Sequence, residues 1–80
     1  MKLIIIKPED KKAYEIVWAE FNTPEGNFVI QAGHASTTLA LSDNKEMSYG
    51  LKTGKQESLE LKHGGIAHIT STEILVLISP

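Results

Sequence analysis

Glycine, proline and asparagine break this chain at short intervals, and the segments between the breaks are rich in Ile, Val, Leu and Thr. β-branched side chains lose rotamer freedom in a helix and pack well on a pleated surface, so this punctuation predicts many short strands rather than a helix bundle. The first is Lys2 to Lys7, an apolar run ended by Pro8, which has no N–H to give a ladder. From Ala13 to Phe21, apolar groups fall on both alternations: Tyr14, Ile16 and Trp18 on one, Val17, Ala19 and Phe21 on the other. That is the pattern of a strand buried twice or carrying a bulge. A helix opening at Pro8 is the competing arrangement, because Pro-Glu-Asp suits a first helical turn. Against it, Val17, Trp18 and Phe21 crowd a segment with no capped end.

Asn22 to Asn27 is a turn cluster, followed by a short strand at Phe28 to Gln31 and a second break at Gly33. Thr37, Leu39 and Leu41 alternate within a strand that stops at Ser42-Asp43-Asn44. The clearest local signal is a hairpin from Glu46 to Lys62, with Met47, Tyr49 and Leu51 on one face and Leu59 and Leu61 on the return. Its turn is Lys52-Thr53-Gly54-Lys55, where Gly54 is free to take positive φ. Gly64-Gly65 precedes a strand at Ile66 to Thr70, and Ser71-Thr72 turns the chain into a last strand at Glu73 to Ile78. Eight to ten short strands follow from this reading, with Trp18 and Phe21 in the core. Two sheets closed face to face, a flattened β-sandwich or barrel, bury both apolar sides most economically.

Eighty residues set the expectation of a single domain over 1–80 with modest stability, part of which partner contacts supply. There is no cysteine, so neither a disulfide framework nor a thiolate site can form. All eight basic residues are lysine and the net charge is −2. Without the guanidinium fork and without a basic surplus, nucleic-acid binding is not expected. The opening four apolar residues are too few for a signal-peptide core, and Ile74 to Ile78 falls far short of the ~20 residues of a spanning helix. Direct membrane insertion is therefore not expected either.

Four constellations suggest chemistry, and none meets its requirements. His34, His63 and His68 lack the spacing of a metal site, since two of them straddle the Gly-Gly break. His34 and Ser36 could pair a base with a nucleophile, but no third group or oxyanion donor is legible. Asp43, Glu57 and Glu60 form no recognisable catalytic carboxylate pair. Gly50 to Gln56 resembles a phosphate loop, yet it has three residues between its glycines instead of four, and Gln56 where magnesium needs Ser or Thr. No catalytic residue, metal or cofactor is assigned.

What remains is Glu25-Gly26-Asn27-Phe28-Val29-Ile30-Gln31-Ala32-Gly33-His34-Ala35, a tight turn feeding a short strand and then a sharp loop that presents an imidazole. This stretch resembles the N-terminal β-sandwich domain of the epsilon subunit of bacterial rotary ATP synthases. In that family an acidic residue and glycine precede a short strand that leads into Gly-His-Ala, here Glu25-Gly26 and Gly33-His34-Ala35. The resemblance extends to an opening strand with a Pro-Glu corner at Lys7-Pro8-Glu9, to Gly64-Gly65 before Ile66 to Ile69, and to the closing strand Ile74 to Ile78. It departs at Ser36, where proline is usual, at Ser42-Asp43-Asn44 in place of a Lys-Pro-Gly type turn, and at Asn27, where the family is often acidic.

The resemblance implies a ten-stranded sandwich and a non-catalytic coupling role between the gamma shaft and the membrane ring that carries ions. The catalytic head would be an indirect partner. It implies a peripheral location on the cytoplasmic face of the bacterial inner membrane. By the same resemblance, Lys7, Glu25, Gly26, Asn27, Gln31, Gly33, His34 and Ala35 face gamma or the ring. Relatives often continue into an inhibitory two-helix hairpin, which a chain ending at Pro80 is not expected to form. The alternative is a free-standing β-sandwich that binds a carbohydrate or another small ligand, which a concave apolar pocket with exposed aromatics would favour.

Overall fold

The computed structural model describes all residues 1–80 and is all-β. Its strands are β1 (Lys2–Lys7), β2 (Asp10–Thr23), β3 (Gly26–Ile30), β4 (Thr37–Leu41), β5 (Lys45–Leu51), β6 (Gln56–Leu61), β7 (Gly65–Ile69) and β8 (Glu73–Ile78). Seven of them form one path, β4-β7-β8-β1-β2-β5-β6, and the eighth, β3, pairs with β2 off that path. Every pairing is antiparallel except β1 with β8.

β2 converts this path into two layers. Its first part pairs with β1 from Lys2↔Glu15 to Lys7↔Asp10, and its second part pairs with β5 and β3. A straight strand of 14 residues would span roughly 45 Å at about 3.3 Å per residue. The longest dimension of the molecule is 27 Å, so β2 must bend sharply. The register shows where: Ile16 pairs with Leu51 and Trp18 with Gly50, leaving Val17 as the extra residue of a bulge. Sheet A is thus β4-β7-β8-β1 with the start of β2, and sheet B is β3, the end of β2, β5 and β6.

The bulge is the one expected from the apolar pattern of Ala13 to Phe21. Apolar groups on both alternations of Ala13 to Phe21 arise from one continuous strand, with neither a helix nor a break, which helps hold the total at eight strands instead of ten. The turn at residues 22–27 is tighter than its composition suggests. Only Pro24 and Glu25 leave the ladder, and Thr23 already pairs with Gly26.

The core is where the inner faces meet. Leu3, Ile5, Ile69, Ile74, Val76 and Ala67 come from sheet A, and Ala19, Phe21, Ile30, Met47, Tyr49 and Leu61 from sheet B, all buried. Tyr14 and Tyr49 join the two layers with ring centroids 5.2 Å apart. Trp18 is not a core residue. It lies half-buried on the outer face of sheet B, where its indole covers the backbone of Gly50, and any Cβ at that position would run into the indole. An aromatic ring over a cross-strand glycine replaces the packing the glycine lacks.

Gly64-Gly65 is required for two different reasons. Gly64 is buried with φ +66°, and a Cβ there would press on the carbonyl oxygen of Leu41. Gly65 is extended, but a Cβ would press on the carbonyl oxygen of Leu77. Because the obstacles are backbone atoms, no side-chain rotation relieves them. Gly64→Ala should cost about 2–4 kcal/mol, combining the left-handed conformation with the overpacking. Chemical denaturation checks this, and a loss below ~0.5 kcal/mol would contradict the account.

Candidate partner-binding surface

The residues singled out by resemblance occupy three separate places. Glu25, Gly26 and Asn27 form the tip and first residues of the β2–β3 hairpin. Thr23 braces the tip: its Oγ1 accepts from the Glu25 N–H at 3.1 Å and donates to the Gly26 carbonyl at 3.0 Å. The Asn27 amide donates to Asn22 Oδ1, and the Asn22 amide donates to the Glu46 carbonyl at 3.0 Å, tying the hairpin to β5. The tip is exposed but held.

Gln31, Gly33, His34 and Ala35 lie at the other end of β3, in the loop that carries the chain to β4. Gly33 takes φ +87° and donates its N–H to the Ser71 carbonyl at 2.8 Å, which fastens the loop to the β7–β8 turn. The His34 N–H donates to the Gln31 carbonyl, and His34 Nδ1–H donates to the Ala35 carbonyl at 2.7 Å. The ring is half-buried and makes no hydrogen bond to Ser36. Lys7 is remote from both groups, beside the β1–β2 turn at the opposite end of β2. The other imidazoles are also dispersed, with His63 in the β6–β7 turn and His68 on the outer face of β7, bonded to Thr38 Oγ1 at 3.2 Å.

A surface the sequence reading passed over is the outer face of sheet A. Register places Ala40, Ile66, Leu77, Ile6 and Lys11 in one row across β4, β7, β8, β1 and β2, and Thr38, His68, Leu75, Ile4 and Ala13 in a neighbouring row, with Glu73, Lys2 and Glu15 in the row beyond. Ile66 is 48% and Leu77 44% exposed, and Ile4, Ile6 and Leu75 are partly exposed beside them. No third layer covers this face, in a molecule only 18 Å thick. The signal was present in Ile4 to Ile6 and Ile74 to Ile78. An unbroken apolar run suits a strand covered on both sides, and a two-layer protein covers only one.

The outer face of sheet B is the reverse, carrying Glu20, Asn22, Asn27, Ser48, Ser58, Gln56, Glu46 and Glu60 around Trp18 and Val29. Glu46 and Glu60 stand directly opposite each other, a like-charge pair tolerated where water reaches both. One broad face is therefore apolar at its centre with polar and charged margins, and the other is polar throughout apart from Trp18 and Val29.

Two concavities complete the surface. A cavity of about 110 Å³ opens between the sheets, lined by Ile5, Lys7, Asp10, Lys12, Tyr14, Tyr49 and Leu59. It is smaller than the ~300–1,000 Å³ of ordinary ligand pockets. An open depression of about 540 Å³ lies among Lys7, Pro8, Glu9, Asp10 and Pro80, with no large apolar side chain in its lining. Neither combines depth with exposed aromatics, so neither favours the small-ligand alternative.

No family model matches this chain, and no curated protein does. Among solved structures, the fold matches a chain of the Euglena gracilis mitochondrial ATP synthase, determined as an OSCP/F1/c-ring assembly in rotational state 1. The TM-score is 0.86 and the identity 20%, over 95% of this chain and 48% of that one. The likeness is one of fold. The chain spans about half the length of the one it matches.

Tyr49 offers a direct check on the inter-sheet contact. Burial, and then the neighbouring Tyr14 phenol, push its pKa from 10.0 up to about 12. The folded state therefore keeps a proton that the unfolded state releases first. This contribution is complete below pH 10 and disappears as pH rises from 10 through about 12. Denaturation curves of the native chain and of Tyr49→Phe should keep a constant stability difference below about pH 9 and diverge above it, with the native chain falling faster. Parallel profiles to pH 12 would mean that the phenol is solvated.

Proposed function

We propose that this chain is an epsilon-type sandwich of a rotary ATP synthase, a non-catalytic central-stalk part that couples the membrane ion-carrying ring to the gamma shaft. The single observation that carries the reading is the one-sided apolar surface of sheet A, on a fold similar to that of an ATP synthase chain. A stalk component works by adhesion and stiffness. It needs a broad face that stays dry against a partner and a body that does not shear, and a two-layer sandwich with one apolar outer face supplies both. Covering a half-exposed Ile or Leu contributes about half of the ~1.5–3 kcal/mol of full burial. The order of motifs from Lys7-Pro8-Glu9 through Gly33-His34-Ala35 to Gly64-Gly65 adds support that is independent of the surface.

In this reading the apolar face of sheet A docks on gamma, with the half-buried His34 loop beside it. The braced tip at Glu25, Gly26 and Asn27 reaches toward polar loops of the ring. Lys7, at the far end of β2, meets gamma outside that cluster. Contact through the tip is polar and wet, because glycine, glutamate and asparagine form it.

Two outcomes test this. Ile66→Lys with Leu77→Lys should weaken capture by purified gamma at least 30-fold while leaving thermal stability nearly unchanged, because both side chains are already exposed. Equal capture by the double variant would remove the apolar face from the interface. Glu25→Lys combined with His34→Ala should lower proton-driven ATP synthesis in a reconstituted enzyme. Unchanged coupling there would refute the placement of the tip and loop.

A further inference from the structure

We propose that the free edge of β3 is a self-association site, through which two copies of this chain pair antiparallel about a two-fold axis and extend sheet B across both. β3 pairs with β2 on one side only, and no other strand takes its far side. None of the loop and turn backbone hydrogen bonds uses residues 26–30, and the one side-chain bond to their backbone goes to the Gly26 carbonyl from Thr23. A strand edge in this condition is a template for another strand unless charge, proline or a bulge blunts it.

Two of the other free edges are blunted by charge. β6 carries Glu57 and Glu60, and the unpaired side of the start of β2 carries Lys11 and Lys12. β4 is neutral, but its outward residues are Thr38 and Ala40, which offer little area. β3 reads Gly-Asn-Phe-Val-Ile, with no charge, no proline and a regular register against β2. Two of its three large side chains are exposed on opposite faces, Phe28 at 37% and Val29 at 56%, while Ile30 is buried. Phe28 lies beside the fully buried Phe21 on the inner face, so its ring is the point at which the core runs out to the edge.

A second copy is the occupant that these features specify. Antiparallel pairing centred on Phe28 sets Phe28 against its own counterpart and Asn27 against Val29. The same register sets Gly26 against Ile30 and Glu25 against Gln31. No like charges meet, and each inward-facing Phe28 ring finds an aromatic partner of the kind that stabilises cross-strand pairs. The contact is isologous and closes at two copies.

The absence of native cysteine makes the register measurable. Sedimentation of the purified chain should show a concentration-dependent dimer, and Val29→Lys should shift it to monomer without altering the denaturation curve. Ile66→Lys with Leu77→Lys should leave the dimer intact, which separates this edge from the apolar face of sheet A. Phe28→Cys should form a disulfide between copies under mild oxidation at least tenfold faster than Val17→Cys, whose position is exposed but away from the edge. A chain that stays monomeric up to about 1 mM would overturn the proposal, as would a dimer abolished by the sheet A variant and not by Val29→Lys.

Discussion

Everything in this molecule depends on β2 serving two sheets. Its first part completes the layer of β1, β8, β7 and β4, and its second part holds β3 and β5. The extra residue at Val17 turns the strand between the two roles and sets the layers face to face. Without that bend, Phe21 and Met47 would have no opposite face to pack on, and Tyr14 could not meet Tyr49. A chain of this size has little core to spare, so the two-layer arrangement and the bulge stand or fall together.

The same economy produces the surface. Two layers can cover only two of the four sheet faces, and the chain treats the remaining pair differently. Sheet B is finished with Glu, Asn, Ser and Gln, and its aromatic Trp18 is used to cover a glycine. Sheet A keeps isoleucine and leucine outside, with Ile66 and Leu77 exposed. The polar hairpin tip and the pinned His34 loop sit at the two ends of β3, and Lys7 sits beyond both. The surface thus combines one broad face with an apolar centre and several small polar points.

Much of the fold was legible in the residues. Pro8, Gly33, Asn44, Gly54 and Gly64 mark turns because each supplies a conformation or a missing donor that a strand cannot use. The hairpin of β5 and β6 was readable because its alternation and its turn agree. Less was legible where one residue alters register. Val17 looks like any other apolar position, and only its pairing shows it to be a bulge. Trp18 reads as core by hydrophobicity, yet the side it takes is decided by that bulge one residue earlier. The outer face of sheet A was hidden for a related reason: Ile4 to Ile6 and Ile74 to Ile78 announce strands strongly, but a run apolar at every position does not say which half is left uncovered. The tip and loop residues were legible as a turn, a short strand and a second loop, and β3 separates them as that pattern requires.

The central claim is that the apolar face of sheet A lies against a partner in the assembled state and the polar face of sheet B does not. Thiol labelling measures this directly, because the chain has no cysteine of its own. Ile66→Cys and Ser58→Cys place single thiols on the two outer faces, and their rates of alkylation would be compared in the free chain and in complex with gamma. The account predicts that the thiol of Ile66→Cys is protected at least tenfold on binding while that of Ser58→Cys reacts at its free rate. Equal rates at the first position with protection at the second would contradict it.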